Sequence, residues 1–566
     1  MNVKILSRFS ILFASITTLA IVFILYHHNT ASFIISHDSG IYNNAFELEI
    51  SSSKEGVCYY TTDGTAPTPG APGTYVYTEP LFITILDEST VYSFQFQYLY
   101  NDGTTSSIQT RDYIMDENAS SRYTTRYIIS VIGNEESLFS YENGIFVRGE
   151  TFDNYLSLHP DTDLLSTVVP ANYHSKAEFP VHVAFFSTNG THLLSQDCGL
   201  KIYGNVTRAK NQKSFRLIAR NNYAAKNEFE YPFFDQLYSE STNTTISQFQ
   251  RLSIHNSGND NYYAFLRNAL IGELARQSGF PDVLVSESIT VYINGRYQGV
   301  YWLQNTFDDR YFKEKYGNYS GEMVVCEGSL DYMNTDDPST YEECTVANDY
   351  NLFVNTLADL DMNIDSNWQY VLDTLDINNF AHYMAIEYYI NNIDWPSNNV
   401  KLYRYIPSSE ERLIEDTVFD GRYRYLLFDT DYGLGLKFLD FFGYDAYEKR
   451  LDDLLSSDTP DTTLFRKLME REEFKELFVN HVLSLLTQSF SPENIEAQMH
   501  DFNGKRYGEL EFMVTQTQLM NQDLWENEPL TIDRIWEEMN EIVDYGKKRP
   551  EIVLSELEEV LNYALH

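Results

Sequence analysis

The sequence predicts an α+β protein. A small all-β module near the N-terminus leads into a mixed middle and a helical C-terminal region, with an N-terminal transmembrane helix in front. Three observations carry this. Phe46-Glu47-Leu48-Glu49-Ile50 and Val91-Tyr92-Ser93-Phe94-Gln95-Phe96-Gln97-Tyr98 alternate, the period of a half-buried strand. Phe380, Met384 and Tyr388 recur every four residues, and Leu464, Phe465, Leu468 and Met469 share helical spacing. Phe9 to Tyr26 is apolar apart from a few serines and threonines.

Residues 1–32 read as a cytoplasmic tip and anchor. Lys4 and Arg8 precede the apolar stretch, which is long enough for a tilted span and has the positive flank that stays cytoplasmic. His27-His28-Asn29 follows instead of a small-x-small cleavage site. An uncleaved anchor with an extracytoplasmic, cell-surface ectodomain is therefore favoured over a cleaved signal and a secreted chain. Residues 33–112 read as the all-β module, where Val57-Cys58-Tyr59-Tyr60 runs into the turn formers Thr61-Thr62-Asp63-Gly64-Thr65-Ala66-Pro67-Thr68. Residues 113–122 read as a linker, and residues 123–566 as the second domain.

Within that domain, Ile145–Gly149 and Val181–Phe186 read as strands. Gly199 to Arg208 and Lys213 to Leu217 form a strand, a glycine turn and a second strand carrying Lys213. Such a unit suits a phosphate-covering loop with a lysine beneath it, or an ordinary hairpin with exposed cations. A helix is expected over Tyr263–Gln277, stopped by Ser278-Gly279 and Pro281. Ile289–Ile293 and Gly299–Leu303 pair through Asn294-Gly295, a strong hairpin signal. Asp359 to Asp365 begins like a calcium loop, but Ile364 and Tyr370 stand where glycine and glutamate are required. Asp376 caps the helix bearing Phe380, Met384 and Tyr388, and Ser491-Pro492 starts another.

Composition bounds the function. Lys and Arg number 40 against 82 Asp and Glu, a formal net charge of -42. A phosphate-contacting nucleic-acid partner is excluded as a main function. Contact with anionic lipid is confined to the N-terminal helix. No cysteine pair forms C-x-x-C. Cys326 and Cys344 flank an acidic loop and read as a disulfide or as two buried thiols.

The helix over residues 377–390 leads into Asn391-Asn392-Ile393-Asp394-Trp395-Pro396-Ser397-Asn398-Asn399, and a later strand ends in Asp429-Thr430-Asp431-Tyr432-Gly433. Phosphoryl transfer needs one carboxylate to accept the hydroxyl proton, plus an amide oxygen and a second carboxylate for metal. Protein kinases take these from a D-x-x-x-x-N loop and a D-F-G turn. Asp394 to Asn399 has the first spacing, and Asp431-Tyr432-Gly433 resembles the second. Spacing alone leaves open a metal-phosphate site or a solvated loop.

Six blocks in order carry a family resemblance. They are Gly204-Asn205-Val206-Thr207-Arg208, Gln212-Lys213-Ser214-Phe215-Arg216, Phe265–Leu270, Asn294–Tyr301, Asn392–Asn399 and Asp429–Gly433. Residues 123–555 are similar to the CotH family, the spore-coat atypical protein kinases. The resemblance implies a kinase-like two-lobe fold that binds ATP with Mg2+ or Mn2+ and phosphorylates Ser or Thr of secreted or surface proteins. By position it implies Asp394 as the catalytic carboxylate. Asn399, Asp431 and Asp429 become metal ligands, and Gly204, Arg208 and Lys213 nucleotide contacts. Asn305 stands where the family has a glutamate, with Glu273 as a substitute, and Ile406–Gly421 resembles an insertion. That departure keeps two alternatives open, an inactive surface binding protein and a transferase moving another group. The Tyr60–Thr68 stretch resembles the β-sandwich modules at the C-terminus of chitobiase and β-hexosaminidase, which implies a spacer or a weak binder.

Overall fold

A computed structural model describes residues 33–563, apart from 87–88, 165–168, 225, 328–344, 397, 410–411, 437–444, 446, 448–449 and 522–527. Among these, no helix is long and apolar enough to cross a membrane, and the Phe9–Tyr26 stretch lies outside them. The expectation of a fold headed by a spanning helix is corrected to a mixed α and β architecture of sheets and helices.

The N-terminal module is all-β. Its five-stranded sheet runs, in spatial order, Gly40–Tyr42, Gln109–Met115, Thr90–Tyr100, Gly56–Thr61 and Tyr75–Val76. Two short pairs cover it, and Leu48, Ile83, Phe96, Tyr113 and Met115 make a core of its own. Residues 113–122 are not a loose linker. They finish a strand and form the short helix Ala119–Arg122, with Asp116 and Arg122 buried and paired at 3.0 Å. Ile114, Tyr123, Ile128, Phe186 and Tyr292 close a second apolar cluster between module and domain.

Seven strands of the domain close a barrel. In spatial order they are Tyr127–Gly133, Phe179–Ser187, His192–Ile202, Phe215–Ile218, Arg251–His255, Arg296–Gln304 and Ser286–Ile293. The closing pair, Tyr127–Val131 on Ile289–Ile293, is parallel. The Asn294-Gly295 hairpin is present, both residues taking the positive φ that this tight turn requires. Ile145–Gly149 is not a strand. Gly149 opens the Gly149–Leu158 helix at φ 76°, where a Cβ would meet the Asn172 amide. Lys213 lies just ahead of its strand rather than on it.

The second half is helical around one three-stranded sheet, Glu322–Glu327, Lys401–Ile406 and Arg424–Leu426. Asp376 caps the Ile377–Ile390 helix through the Asn379 N–H, as its sequence predicts. The long Ile532–Leu561 helix braces that helix's C-terminus. Arg549 donates to the carbonyls of Tyr388 and Tyr389, groups a helix end leaves unpaired. One continuous core joins barrel and helices through Phe215, Leu270, Tyr383, Phe478 and Ile542.

Candidate active site

Two loops of the helical half and one loop of the barrel half meet at three aspartates. Asn391, at φ 49°, ends the Ile377–Ile390 helix and turns the chain into the Asp394 loop. There Asn398 Nδ2 donates to Asp394 Oδ1, and Asn399 Nδ2 donates to Asp394 Oδ2, both at 2.9 Å. Asn399 also donates to the Asp429 carbonyl at 3.3 Å, which binds this loop to the second motif. Asn399 and Asp429 both take positive φ, at 60° and 54°.

Asp431 is 1% exposed. Its Oδ2 accepts the Asn259 backbone N–H at 2.6 Å, while its buried Oδ1 has no protein partner. Burial pushes its pKa well above the usual carboxylate range, and Asp429, Asp260 and Asp394 add to the push. Charge is concentrated here in a way that a cation would relieve. Asn268 Oδ1 accepts the Thr430 hydroxyl, and the Leu434 N–H is held by the Ile390 carbonyl.

The barrel's contribution is the loop His255–Asn261. Ser257, Gly258, Tyr262 and Phe265 all take positive φ, a concentration of strained backbone of the kind found at functional sites. At Gly258 a Cβ would lie 2.0 Å from Asp431 Oδ2, so only glycine admits the carboxylate. Asp260 accepts the N–H groups of Ala264, Leu266 and Arg267 and pairs with the Arg267 guanidinium, which reaches Glu538 at 2.8 Å. This capture starts the helix at Arg267 instead of Tyr263. Asn256 joins the loop to the lysine block, accepting from Ser214 Oγ at 2.8 Å and donating to the Gln212 carbonyl at 2.6 Å.

Asp394, Asn399, Asp429 and Asp431 are thus brought together. Gly204, Arg208 and Lys213 form a second group around the Val206–Ala209 turn. Lys213 Nζ donates to the carbonyls of Arg208 and Lys210 at 2.9 Å and lies 4.4 Å from the Tyr173 ring centre. Arg208 Nε donates to the Gly204 carbonyl at 2.6 Å, and burial and then Arg216 lower its pKa. Arg216 stacks on Tyr203, whose hydroxyl is pushed up to about 12 by burial with a contribution from Asp429. Glu273, the one substitute acid, and Asn305 are both engaged with other partners. Glu273 binds Arg276 at 2.7 Å, and Asn305 Oδ1 accepts the Val285 N–H at 2.8 Å.

Sequence reasoning missed the His255–Asn261 loop and Asn268. The signal was there, as the six residues Asn256–Asn261, polar but for one glycine, between a strand and an apolar stretch that leads into a helix.

A barrel half and a helical half meet at the buried Asp431, with the half-buried Asp394 and Asp429 beside it, an arrangement that suits the kinase-like class. The chain belongs to a specific family of that class: the CotH kinase protein family, whose model matches residues 200–553, more than half of its length. That match does not reach the N-terminal module, and its resemblance to the chitobiase sandwich gains no support from it. No curated protein matches the chain.

Proposed function

We propose that the protein is a CotH-type kinase that transfers the γ-phosphate of ATP to Ser or Thr of proteins outside the cytoplasm. The observation that carries this reading is Asp431, a buried carboxylate with one oxygen lacking a protein partner and with Asp429, Asp394 and Asn399 around it. Those residues suit Mg2+ or Mn2+. Among the described residues no group of three or more His, Cys, Asp or Glu could by itself hold a metal ion. Magnesium commonly takes one or two carboxylates and fills its shell with water and substrate phosphates. Asp431, Asn399 and Asp429 would hold the ion, which when bound neutralises phosphate charge.

The chain's own residues supply the rest. Asp394, fixed by the amides of Asn398 and Asn399, is oriented to accept the proton of an attacking hydroxyl. Lys213 and Arg208, close to one glycine turn, are the cations available to the nucleotide phosphates. A location outside the cytoplasm is supported by Cys326, which is disulfide-bonded, since such bonds persist in oxidising compartments. Cys344, its partner in one of the two sequence readings, lies outside the described residues, as does the acidic loop before it.

A second reading, a kinase-like binding protein without turnover, is favoured by one observation: Lys213 donates to two backbone carbonyls, while Glu273 and Asn305 are engaged elsewhere. Incubation of the purified protein with γ-labelled and α-labelled ATP separates these. Transfer of γ label alone supports the kinase. Transfer of α label means nucleotidyl transfer, and no transfer leaves the binding role.

A further inference from the structure

Directly beneath the Asp394 loop lies a group of buried polar side chains that the proposed chemistry does not use. Tyr383 and Glu387 are one turn apart on the Ile377–Ile390 helix, and both are at most 1% exposed. Asn392 and Trp395 come from the loop and are equally buried. Both oxygens of Glu387, both amide atoms of Asn392, Trp395 Nε1 and the Tyr383 hydroxyl lack a well-formed hydrogen bond to protein. Buried polar atoms without partners cost about 1–3 kcal/mol each, so such a concentration is kept only for a reason.

The pairing follows the loop. Asn392 sits against the Glu387 carboxyl. Trp395 packs edge-on against Tyr383, ring centres 6.0 Å apart. Asp394 is flanked in sequence by these two anchors, and Arg450 adds a third by donating to the Trp395 carbonyl at 2.7 Å.

We propose that Glu387 is a positioning residue: its buried carboxyl seats Asn392 and thereby holds the loop that presents Asp394 and Asn399. This rests on the kinase reading only for its effect on turnover; the seating itself does not. A neutral acid can both donate to and accept from an amide such as Asn392. An ionised one can only accept, and its charge is unsupported at this depth. Burial raises the Glu387 pKa to about 8, with Asn392 and then Arg450 pulling it down. The charged and titratable groups facing this site include Tyr383 on the same helix, Arg450 ahead of the Leu451–Ser456 helix, Asp461 on the Pro460–Leu468 helix, Tyr350 on the Thr345–Ala358 helix and Tyr425 on the Arg424–Leu426 strand. A group whose folded pKa exceeds its unfolded value favours the fold fully below the unfolded pKa and loses that contribution as pH rises to the folded one. The seat therefore weakens as pH rises through about 8.

The test compares wild type with Glu387→Gln, which copies the neutral acid, and Glu387→Ala. Trp395 fluorescence, isolated by difference against Trp395→Phe, is followed from pH 6 to 10, alongside kcat and KM for ATP. The wild-type signal should change with a midpoint near pH 8, and Glu387→Gln should hold the low-pH signal throughout. Turnover in Glu387→Ala should fall on the order of 10²-fold, the cost of a small misplacement, with KM nearly unchanged. Glu387→Gln should restore it and remove the alkaline decline. A transition in Glu387→Gln identical to wild type, or full turnover in Glu387→Ala, overturns the proposal. A normal fluorescence transition in a wild type that never turns over ATP sinks the kinase reading and leaves the seating intact.

Discussion

Asn268 Oδ1 accepts two donors from Thr430, the hydroxyl at 3.0 Å and the backbone N–H at 3.3 Å. One amide on the helix after the barrel loop thus fixes the turn between Asp429 and Asp431. Asn268→Ala leaves a buried N–H unmatched, which should cost about 1–3 kcal/mol. Thermal melting reads that cost. Turnover should fall further than the lost stability explains, because the metal-side carboxylates lose their register.

Gly258→Ala places a methyl group 2.0 Å from Asp431 Oδ2 at a backbone φ of 59°. Calorimetric titration should show Mg-ATP binding weakened or lost, while far-UV circular dichroism stays close to wild type. Binding at wild-type strength would mean that this loop does not set the position of Asp431.

Asp431→Asn and Asp394→Asn should separate binding from chemistry. Asp431 supplies ligand charge, so its loss weakens metal and nucleotide together. Asp394 acts on the hydroxyl, and its loss should lower turnover about 10²- to 10⁴-fold with Mg-ATP binding retained. Titration and γ-phosphate transfer on both variants check the split. Two variants that behave like wild type would reduce both motifs to a structural role.

His182 predicts a pH dependence at the module boundary. It lies buried between Asp197 at 2.7 Å and Asp112 of the N-terminal module at 3.4 Å, with Ser195 also donating to Asp112. Burial opposes its charge, but the two carboxylates prevail and lift its pKa to about 9. Its stabilisation is complete below the ordinary histidine value of 6.5 and is lost as pH rises through about 9. The melting temperature should therefore decline across that window, and the decline should flatten in His182→Asn.

Removing residues 1–122 should lower the melting temperature of what remains. Ile128, Phe186 and Tyr292 would lose their cover, and Glu509 its partner Arg122 at 3.7 Å. A truncated protein that melts like the full chain would show that the module adds nothing to the domain.

Much of this was legible wherever one periodicity or one turn chemistry decides the outcome. The Asn294-Gly295 hairpin, the Asp376 cap and the Ser491-Pro492 helix start all stand as read. The Asp394 and Asp431 motifs were found by spacing and do converge. Failures came where tertiary contacts overrule local pattern. Ile145–Val147 looks like a strand, yet Gly149 turns the chain into a helix against Asn172. Tyr263–Leu266 has helical apolar spacing, yet the Asp260 carboxylate takes its N–H groups. The buried group around Glu387 was invisible because nothing in a sequence distinguishes a polar residue on a helix's buried face from one facing water.

The parallel seam of the barrel has a consequence in time. Tyr127 pairs with Ile289, and all seven residues of its strand are buried in the finished fold. Until Ser286–Ile293 has been synthesised, one edge of that apolar strand has no native neighbour. At synthesis rates of roughly 5–20 residues per second, the wait is on the order of ten seconds. The nascent chain thus carries an open, aggregation-prone edge through most of its first half. Yield should respond more to translation speed and holding chaperones than to the stability of the completed protein.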